Sequence, residues 1–178
     1  NLYIDGAHWI NNDGLHGWRS RQATYRLERG IHAIEVDFFE RGGHAGMRLS
    51  YRGPDTSNSV QVVPSRVFSS ETNIPPRKGL TGKYYYWSGG IGSIPNVAAR
   101  RPNLERLDTT VNFPSTRNAW LGVGRSDRFV AQWTGRIEIT RAGTYTFELD
   151  SDDGSMLRID GSLLVNNDGL HGMRKRSA

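Results

Sequence analysis

The sequence of 178 residues contains no cysteine. That absence excludes a disulfide scaffold, a thiolate zinc site and a cysteine nucleophile. No stretch approaches the roughly 18 consecutive apolar residues that a membrane-spanning helix needs, so we expect no membrane span. Neither a nucleophile-elbow motif nor a pair of acids at a plausible cleft is readable, and the sequence therefore predicts a protein that is not an enzyme.

Charge of one sign is not concentrated either, although the net charge is +5. Residues 1–72 carry eight basic and eight acidic side chains, and the remainder carries fifteen and ten. Nucleic-acid binders usually gather basic residues on one element with interleaved aromatics, whereas these are scattered over predicted loops. We expect no nucleic-acid partner.

Glycine is abundant, with 21 residues, and aromatic residues reach 10%, a mixture that suits short strands joined by tight turns. Alternation of apolar and polar residues with period two recurs in four segments, 31–39, 47–51, 129–139 and 143–149. No twelve-residue segment shows a helical period. These patterns predict an all-β fold built from antiparallel strands, with Trp133 in the core of its strand.

The strongest signal is an internal repeat. Residues 2–23 and 157–178 are identical at 14 of 22 positions, at an offset of 155 residues. A period of that length is an ordinary size for one β-sandwich. The chain therefore holds the back half of one copy followed by the front half of the next.

The seam between the copies is predicted near residues 69–79, a polar stretch with Pro75 and Pro76 that is typical of a short, stiff linker. The predicted divisions are residues 1–68 for the first half-domain, 69–78 for the linker and 79–178 for the second half-domain.

Eight short motifs together resemble one known family. They are GLTGKYY at 79–85, DRFVAQWTG at 127–135, AGTYTF at 142–147, SDDGS at 151–155, LRIDG at 157–161, NDGLH at 167–171, RGIHAIEV at 29–36 and GMRLSY at 46–51. The chain resembles the protective-antigen-type domain (PA14), which occurs in the anthrax toxin subunit, yeast flocculins and bacterial glycosidases and adhesins. The resemblance implies an antiparallel β-sandwich, permuted here relative to the usual domain boundaries, and an extracellular or cell-surface location.

The resemblance also singles out Asp152 and Asp153. In calcium-dependent, sugar-binding members of the family such a pair is joined by a cis peptide, and both carboxylates bind one Ca²⁺. Ca²⁺ prefers several oxygen ligands, and Glu40 in the loop 40–45 is the natural further candidate. Asp-Asp-Gly is equally a good turn sequence, which leaves a turn without metal as the alternative. Because Glu40 falls in the preceding copy, we expect it not to meet the aspartates within this chain, except by swapping or in a neighbouring protomer.

Three further side chains are candidates for ligand binding. Trp87 and Trp120 lie in irregular segments, where an indole ring could stack on a sugar, and His44 lies in the loop with Glu40. The repeated Asn-Asn-Asp-Gly-Leu-His at 11–16 and 166–171 is either a repeated metal site or a repeated turn, and its Asn, Asp and Gly residues favour the turn.

Two functions follow from these features. In the first, the chain is a structural or adhesive repeat of an extracellular fibre or adhesin, whose partners are neighbouring copies of the same protein, with half-domains completing one another. In the alternative, each domain is a calcium-dependent module that binds cell-surface or matrix glycans. A further alternative is an accessory module of a secreted carbohydrate-active enzyme.

Overall fold

The computed structural model describes residues 19–70 and 77–167, which form two antiparallel sheets packed against each other. The five-stranded sheet contains β1 (Arg19–Leu27), β3 (Ala45–Arg52), β4 (Gln61–Val62), β8 (Asn112–Thr116) and β10 (Gly143–Asp152). The seven-stranded sheet contains β2 (Gly30–Glu40), β5 (Phe68–Ser69), β6 (Leu80–Tyr86), β7 (Leu104–Asp108), β9 (Phe129–Ile139), β11 (Ser155–Ile159) and β12 (Ser162–Asn167). The predicted all-β sandwich is confirmed.

Helical structure in the described residues is confined to two short 3₁₀ turns, Pro54–Thr56 and Ser65–Val67. No helix within 19–70 and 77–167 is long and apolar enough to cross a membrane.

Strands from the two ends of the chain interleave in both sheets. β2 lies between β9 and β11, and β10 lies between β1 and β3, all antiparallel. Strands of the segment 19–70 therefore complete the same sandwich as strands of the segment 79–167. The origin of these segments in successive copies stays a prediction from the sequence repeat.

The core lies between the sheets and is built by the alternation that predicted the strands. On β9 the side chains of Ala131, Trp133 and Ile137 are fully buried, and on β10 those of Phe147 and Leu149 are as well. Successive side chains of a strand point to opposite faces, so each strand contributes every second residue to the core. Each large apolar side chain buried in this way stabilises the fold by about 1.5–3 kcal/mol.

One carboxylate is buried at the edge of this core with its hydrogen bonds satisfied. Asp108 Oδ2 accepts hydrogen bonds from Tyr84 Oη at 2.6 Å and from Trp133 Nε1 at 2.8 Å. Arg106 Nε lies 2.8 Å from Asp108 Oδ1 and balances the charge. Gly82 leaves room for this network, because a Cβ atom there would lie only 2.4 Å from Asp108 Oδ2.

A second apolar cluster covers part of the other face of the seven-stranded sheet. Its buried members are Phe39, Tyr85, Ile91, Val97 and Val130. Phe39 and Val130 are each next in sequence to a residue of the main core, Phe38 and Ala131 respectively. Because successive side chains of a strand point to opposite faces, Phe39 and Val130 point away from the sandwich interior. The connection between β6 and β7 folds back over the sheet and shields them from water.

Two residues of the predicted linker, one position inside each of its ends at 69 and 78, are hydrogen-bonded to each other. Ser70 N donates to Arg77 O at 3.0 Å, and Arg77 N donates to Ser70 Oγ at 3.3 Å. The intervening residues 71–76 lie outside the described part of the chain. The bonds hold the two ends of the linker together at the edge of one sandwich.

Candidate functional site

Glu40 and the Asp152–Asp153 pair lie together at one end of the sandwich, within one chain. Glu40 ends β2, and Asp152 ends β10. Two bonds join the regions: Phe39 N donates to Gly154 O at 2.9 Å, and Arg41 N donates to Asp153 Oδ2 at 2.9 Å. The expectation that Glu40 would not meet the aspartates within this chain is therefore wrong. The reason is that β2 pairs with β11 directly after the Asp-Asp-Gly turn.

The peptide bond between Asp152 and Asp153 is cis. This agrees with what the family resemblance implies for such a pair. Asp153 is buried and Asp152 is half-buried.

Glu40 is the most unusual acid of the site. Its residue is 0% exposed, and neither carboxyl oxygen makes a hydrogen bond within the described residues. Burial raises the pKa of Glu40 to about 9, and the charges of Asp153, Asp152 and Asp127 add to that rise. The Gly42 amide opposes it without reaching hydrogen-bonding geometry.

The two aspartates are perturbed in the same direction. Burial, followed by the charge of Asp153, raises the pKa of Asp152 to about 7. Burial also raises the pKa of Asp153 to about 6, against the backbone hydrogen bond and the positive charge of Arg41. Glu40, Asp152 and Asp153 are thus close enough for the aspartate charges to raise the pKa values of Glu40 and Asp152. A divalent cation would reverse this setting, which disfavours the ionised forms.

Asp127 is a fourth acid at this end of the sandwich and was not singled out from the sequence. Its Oδ1 accepts a hydrogen bond from Gly43 N at 3.1 Å, and its Oδ2 accepts one from Ser126 Oγ at 2.9 Å. Asp127 therefore fixes the loop that follows Glu40. The only sequence signal was its place at the start of a family motif.

These donors fit a hard cation, since they are all carboxylate oxygens and two of them are unpartnered and buried. Within 19–70 and 77–167, however, no group of three histidine, cysteine or acidic side chains is already assembled at metal-binding spacing. A cation here would draw its remaining ligands from backbone carbonyls and water, which Ca²⁺ commonly uses.

Trp120 does not lie on the surface. The residue is 4% exposed, and its ring stacks on Phe113 and Phe38 at centroid distances of 4.4 and 5.1 Å. Its Nε1 donates to Ala45 O at 3.2 Å. The prediction that Trp120 stacks on a sugar is therefore wrong, because the irregular segment that carries it folds into the open end of the core.

Trp87 and His44 both retain some exposure. His44 is exposed in the loop between β2 and β3. Trp87 is half-buried, and the Arg100 guanidinium carbon lies 3.9 Å from the centre of its ring. Arg100 thus covers one face of the indole, so only the other face and the edge are left for a ligand.

A polar cleft of about 730 Å³ has Asp127 in its lining, and of the ligand-binding residues predicted from the sequence only Trp87 lines it. Its lining includes Trp87, Arg117, Arg125, Ser126, Asp127 and Arg128. Asp127 is shared, since it lines the cleft and also anchors the loop after Glu40. We call this feature the arginine cleft.

The repeated Asn-Asn-Asp-Gly-Leu-His motif is described only in part. Asn166 and Asn167 end β12. Residues 168–171 and the first copy at 11–16 lie outside the described residues.

The fold and the site together define a class of protein: an antiparallel sandwich with an aspartate pair at the junction of two consecutive strands, β10 and β11. A sequence model of the PA14 domain matches residues 79–178, which is more than half of the chain. The chain belongs to the PA14 domain family, whose members are carbohydrate-binding and adhesive modules, typically extracellular or at the cell surface.

A curated relative is the anti-sigma-I factor RsgI3 of Acetivibrio thermocellus, 22% identical over 175 residues. The match covers 93% of this chain and 25% of the relative, so the chain spans about a quarter of that protein's length. No solved structure matches the chain.

Proposed function

We propose that the chain is a calcium-dependent glycan-binding module that acts outside the cell or at its surface. The observation that carries the proposal is the convergence of Glu40 with Asp152 and Asp153 in one chain. The two unpartnered oxygens of Glu40 are costly to bury unless a ligand satisfies them. A bound cation would satisfy them and would relieve the repulsion among the three carboxylates.

The carboxylates of Asp152, Asp153 and Glu40 would hold the ion. When bound, Ca²⁺ supplies a positive centre with ligand positions that vicinal sugar hydroxyls can occupy. The protein orients its own ligands: the Arg41 amide holds Asp153, and Asp127 holds the loop through Gly43. In both bonds a backbone amide of the loop donates to an aspartate side chain, which ties the loop to the two carboxylates.

Thermal unfolding of the 178-residue chain in Ca²⁺ and in EDTA tests this proposal. A ligand that binds only the folded state stabilises it by about 2.7 kcal/mol at 100 times its dissociation constant. We expect the Tm to rise with Ca²⁺ in the natural sequence and not in the double variant Asp152→Asn, Asp153→Asn. The matched control is Glu105→Gln, Glu138→Gln, which removes two exposed acids elsewhere. An equal Ca²⁺ response in the aspartate variant would refute the site.

A second candidate function is a repeat within a tandem array, fibre or adhesin, in which half-domains pair between copies. Two observations favour it: the 14 identities between 2–23 and 157–178, and a relative whose alignment spans both half-domains in the same order. In this chain the two half-domains pair with each other. In an exchange between copies, the same strands of a second copy would take their places in the sandwich. Light scattering during size-exclusion chromatography tests it: growth of oligomers with concentration supports exchange, and a monomer at all concentrations counts against it.

A further inference from the structure

We propose that the arginine cleft binds an anionic saccharide unit, one that carries a carboxylate or a sulfate ester, beside the calcium site. The assignment rests on the proposed glycan-binding function and names the class of glycan. Arg117, Arg125 and Arg128 line the cleft against a single acid, Asp127. All three arginines are exposed, and none forms an ion pair within 19–70 and 77–167.

The one acid of the cleft is already engaged. Asp127 accepts hydrogen bonds at both carboxylate oxygens, from Gly43 N and Ser126 Oγ. No ion pair joins it to the three arginines within 19–70 and 77–167. The cleft presents three guanidinium groups and one occupied carboxylate, and guanidinium groups match carboxylate and sulfate oxygens with paired hydrogen bonds.

Part of the positive wall is held in place before any ligand arrives. Arg125 Nη1 donates to Trp87 O at 2.7 Å, and its guanidinium carbon lies 5.1 Å from the centre of the Tyr86 ring. The Trp87 backbone N–H donates to Arg128 O at 2.8 Å, and this bond fixes the backbone of Arg128. Groups fixed in this way lose less conformational entropy on binding.

The position and size of the cleft suit a sugar. A volume of about 730 Å³ lies within the range of about 300–1,000 Å³ that is typical of small-molecule sites. Asp127 joins the cleft to the loop after Glu40, so one oligosaccharide could contact both the cleft and the calcium site. An anionic unit gains from both neighbours, because a bound cation and the guanidinium groups carry the same sign.

A nucleic acid fits this surface less well. Single-stranded nucleic acids bind along extended basic grooves on which successive bases stack. Here the basic wall lines a single cleft that includes the carboxylate of Asp127, and Trp87 has one face covered by Arg100. A discrete charged group on a saccharide is the ligand that these contacts favour.

Calorimetric titration in Ca²⁺ with a matched pair of ligands tests the inference. The probes are trigalacturonate and its methyl ester, which differ only at the carboxyl groups, where the ester carries a methyl group instead of the charge. A sulfated chondroitin disaccharide distinguishes sulfate esters from carboxylates, and a DNA oligonucleotide tests for a general polyanion surface. We expect trigalacturonate or the sulfated disaccharide to bind at least tenfold more tightly than the ester, and the DNA to bind at least tenfold more weakly than the preferred saccharide.

The variant Arg117→Gln, Arg128→Gln should weaken binding of the preferred anionic saccharide at least tenfold and leave the Ca²⁺-dependent rise in Tm unchanged, which shows that the variant is folded. Arg117→Lys, Arg128→Lys should retain more of the affinity because it keeps the charge. The matched control is Arg52→Gln, Arg136→Gln, which removes two exposed arginines elsewhere.

The inference is overturned if the ester binds as tightly as both anionic saccharides, if the glutamine variant is unaffected, or if DNA binds as tightly as the saccharides. Failure of the proposed function gives a different result: anionic binding that survives in EDTA and in Asp152→Asn, Asp153→Asn. Calcium-dependent binding of the neutral ester alone would sustain the proposed function and refute the anionic cleft.

Discussion

Replacing the buried acid Glu40 by glutamine should stabilise the metal-free protein. The side chain is fully buried, and neither of its carboxyl oxygens makes a hydrogen bond within the described residues. Without a cation it must take up a proton to remain in this position, whereas glutamine has nearly the same shape and is neutral at every pH. The substitution Glu40→Gln removes the free energy needed to keep the buried carboxyl protonated.

The magnitude follows from the pKa of Glu40, which burial raises from 4.5 to about 9. The contribution of protonated Glu40 to the free energy of unfolding is fully present below pH 4.5. It is lost progressively as the pH rises from there to about 9. At pH 7 the chain has lost about 1.4 kcal/mol for each of roughly 2.5 pH units, or about 3 kcal/mol. Glutamine adds a second N–H donor that must be satisfied, so about 3 kcal/mol is an upper value.

The assay is urea unfolding in EDTA at pH 5, 7 and 8.5, with Glu138→Gln as a control at an exposed position. We expect Glu40→Gln to exceed the natural sequence in free energy of unfolding, by an amount that grows with pH. In Ca²⁺ the order should reverse, because the variant lacks one charged ligand. A destabilisation in EDTA that is the same at all three pH values would refute the reasoning.

Three further predictions concern packing and titration. Gly82→Ala places a methyl group against Asp108, at 2.4 Å from Oδ2, and should lower the free energy of unfolding by about 1–3 kcal/mol; Gly89→Ala, which meets nothing within 4 Å, should change it little, and equal effects in urea unfolding would contradict the packing argument. Trp120→Ala should cost about 3–5 kcal/mol in the same assay, since it empties a buried aromatic site, and a near-neutral result would return this residue to the surface. Burial and the neighbouring Glu35 charge raise the pKa of Asp37 to about 6, so Asp37→Asn should remove a loss of stability between pH 4 and 6, and an unchanged pH profile would contradict it.

Much of the fold could be predicted because alternation reports directly on a buried sheet face. The predicted strand at 129–139 has the bounds that the structure gives, and Trp133 is fully buried as expected. The Asp152–Asp153 turn was also found, through the family resemblance. Patterns of this kind are local, since each depends on residues close in sequence.

The features that were missed depend on contacts between distant residues. Alternation does not say which strands pair, so it could not show that β2 brings Glu40 to Asp153, more than 100 residues away. Trp120 lies in an irregular segment, and only the tertiary structure shows that this segment closes the core. The arginine cleft unites residues around 87 with residues 117–128. Trp87 and the motif that begins at Asp127 were visible in the sequence, but no local pattern showed that they lie together.

The most direct test of the account is the stoichiometry of Ca²⁺ binding, measured by calorimetry on chain whose mass has been verified by light scattering. The account predicts one ion per monomer, with binding abolished in Asp152→Asn, Asp153→Asn and weakened in Glu40→Gln. Absence of binding to the natural sequence, or binding that appears only in a dimer, would contradict a calcium site formed by Glu40 and the aspartate pair within one chain.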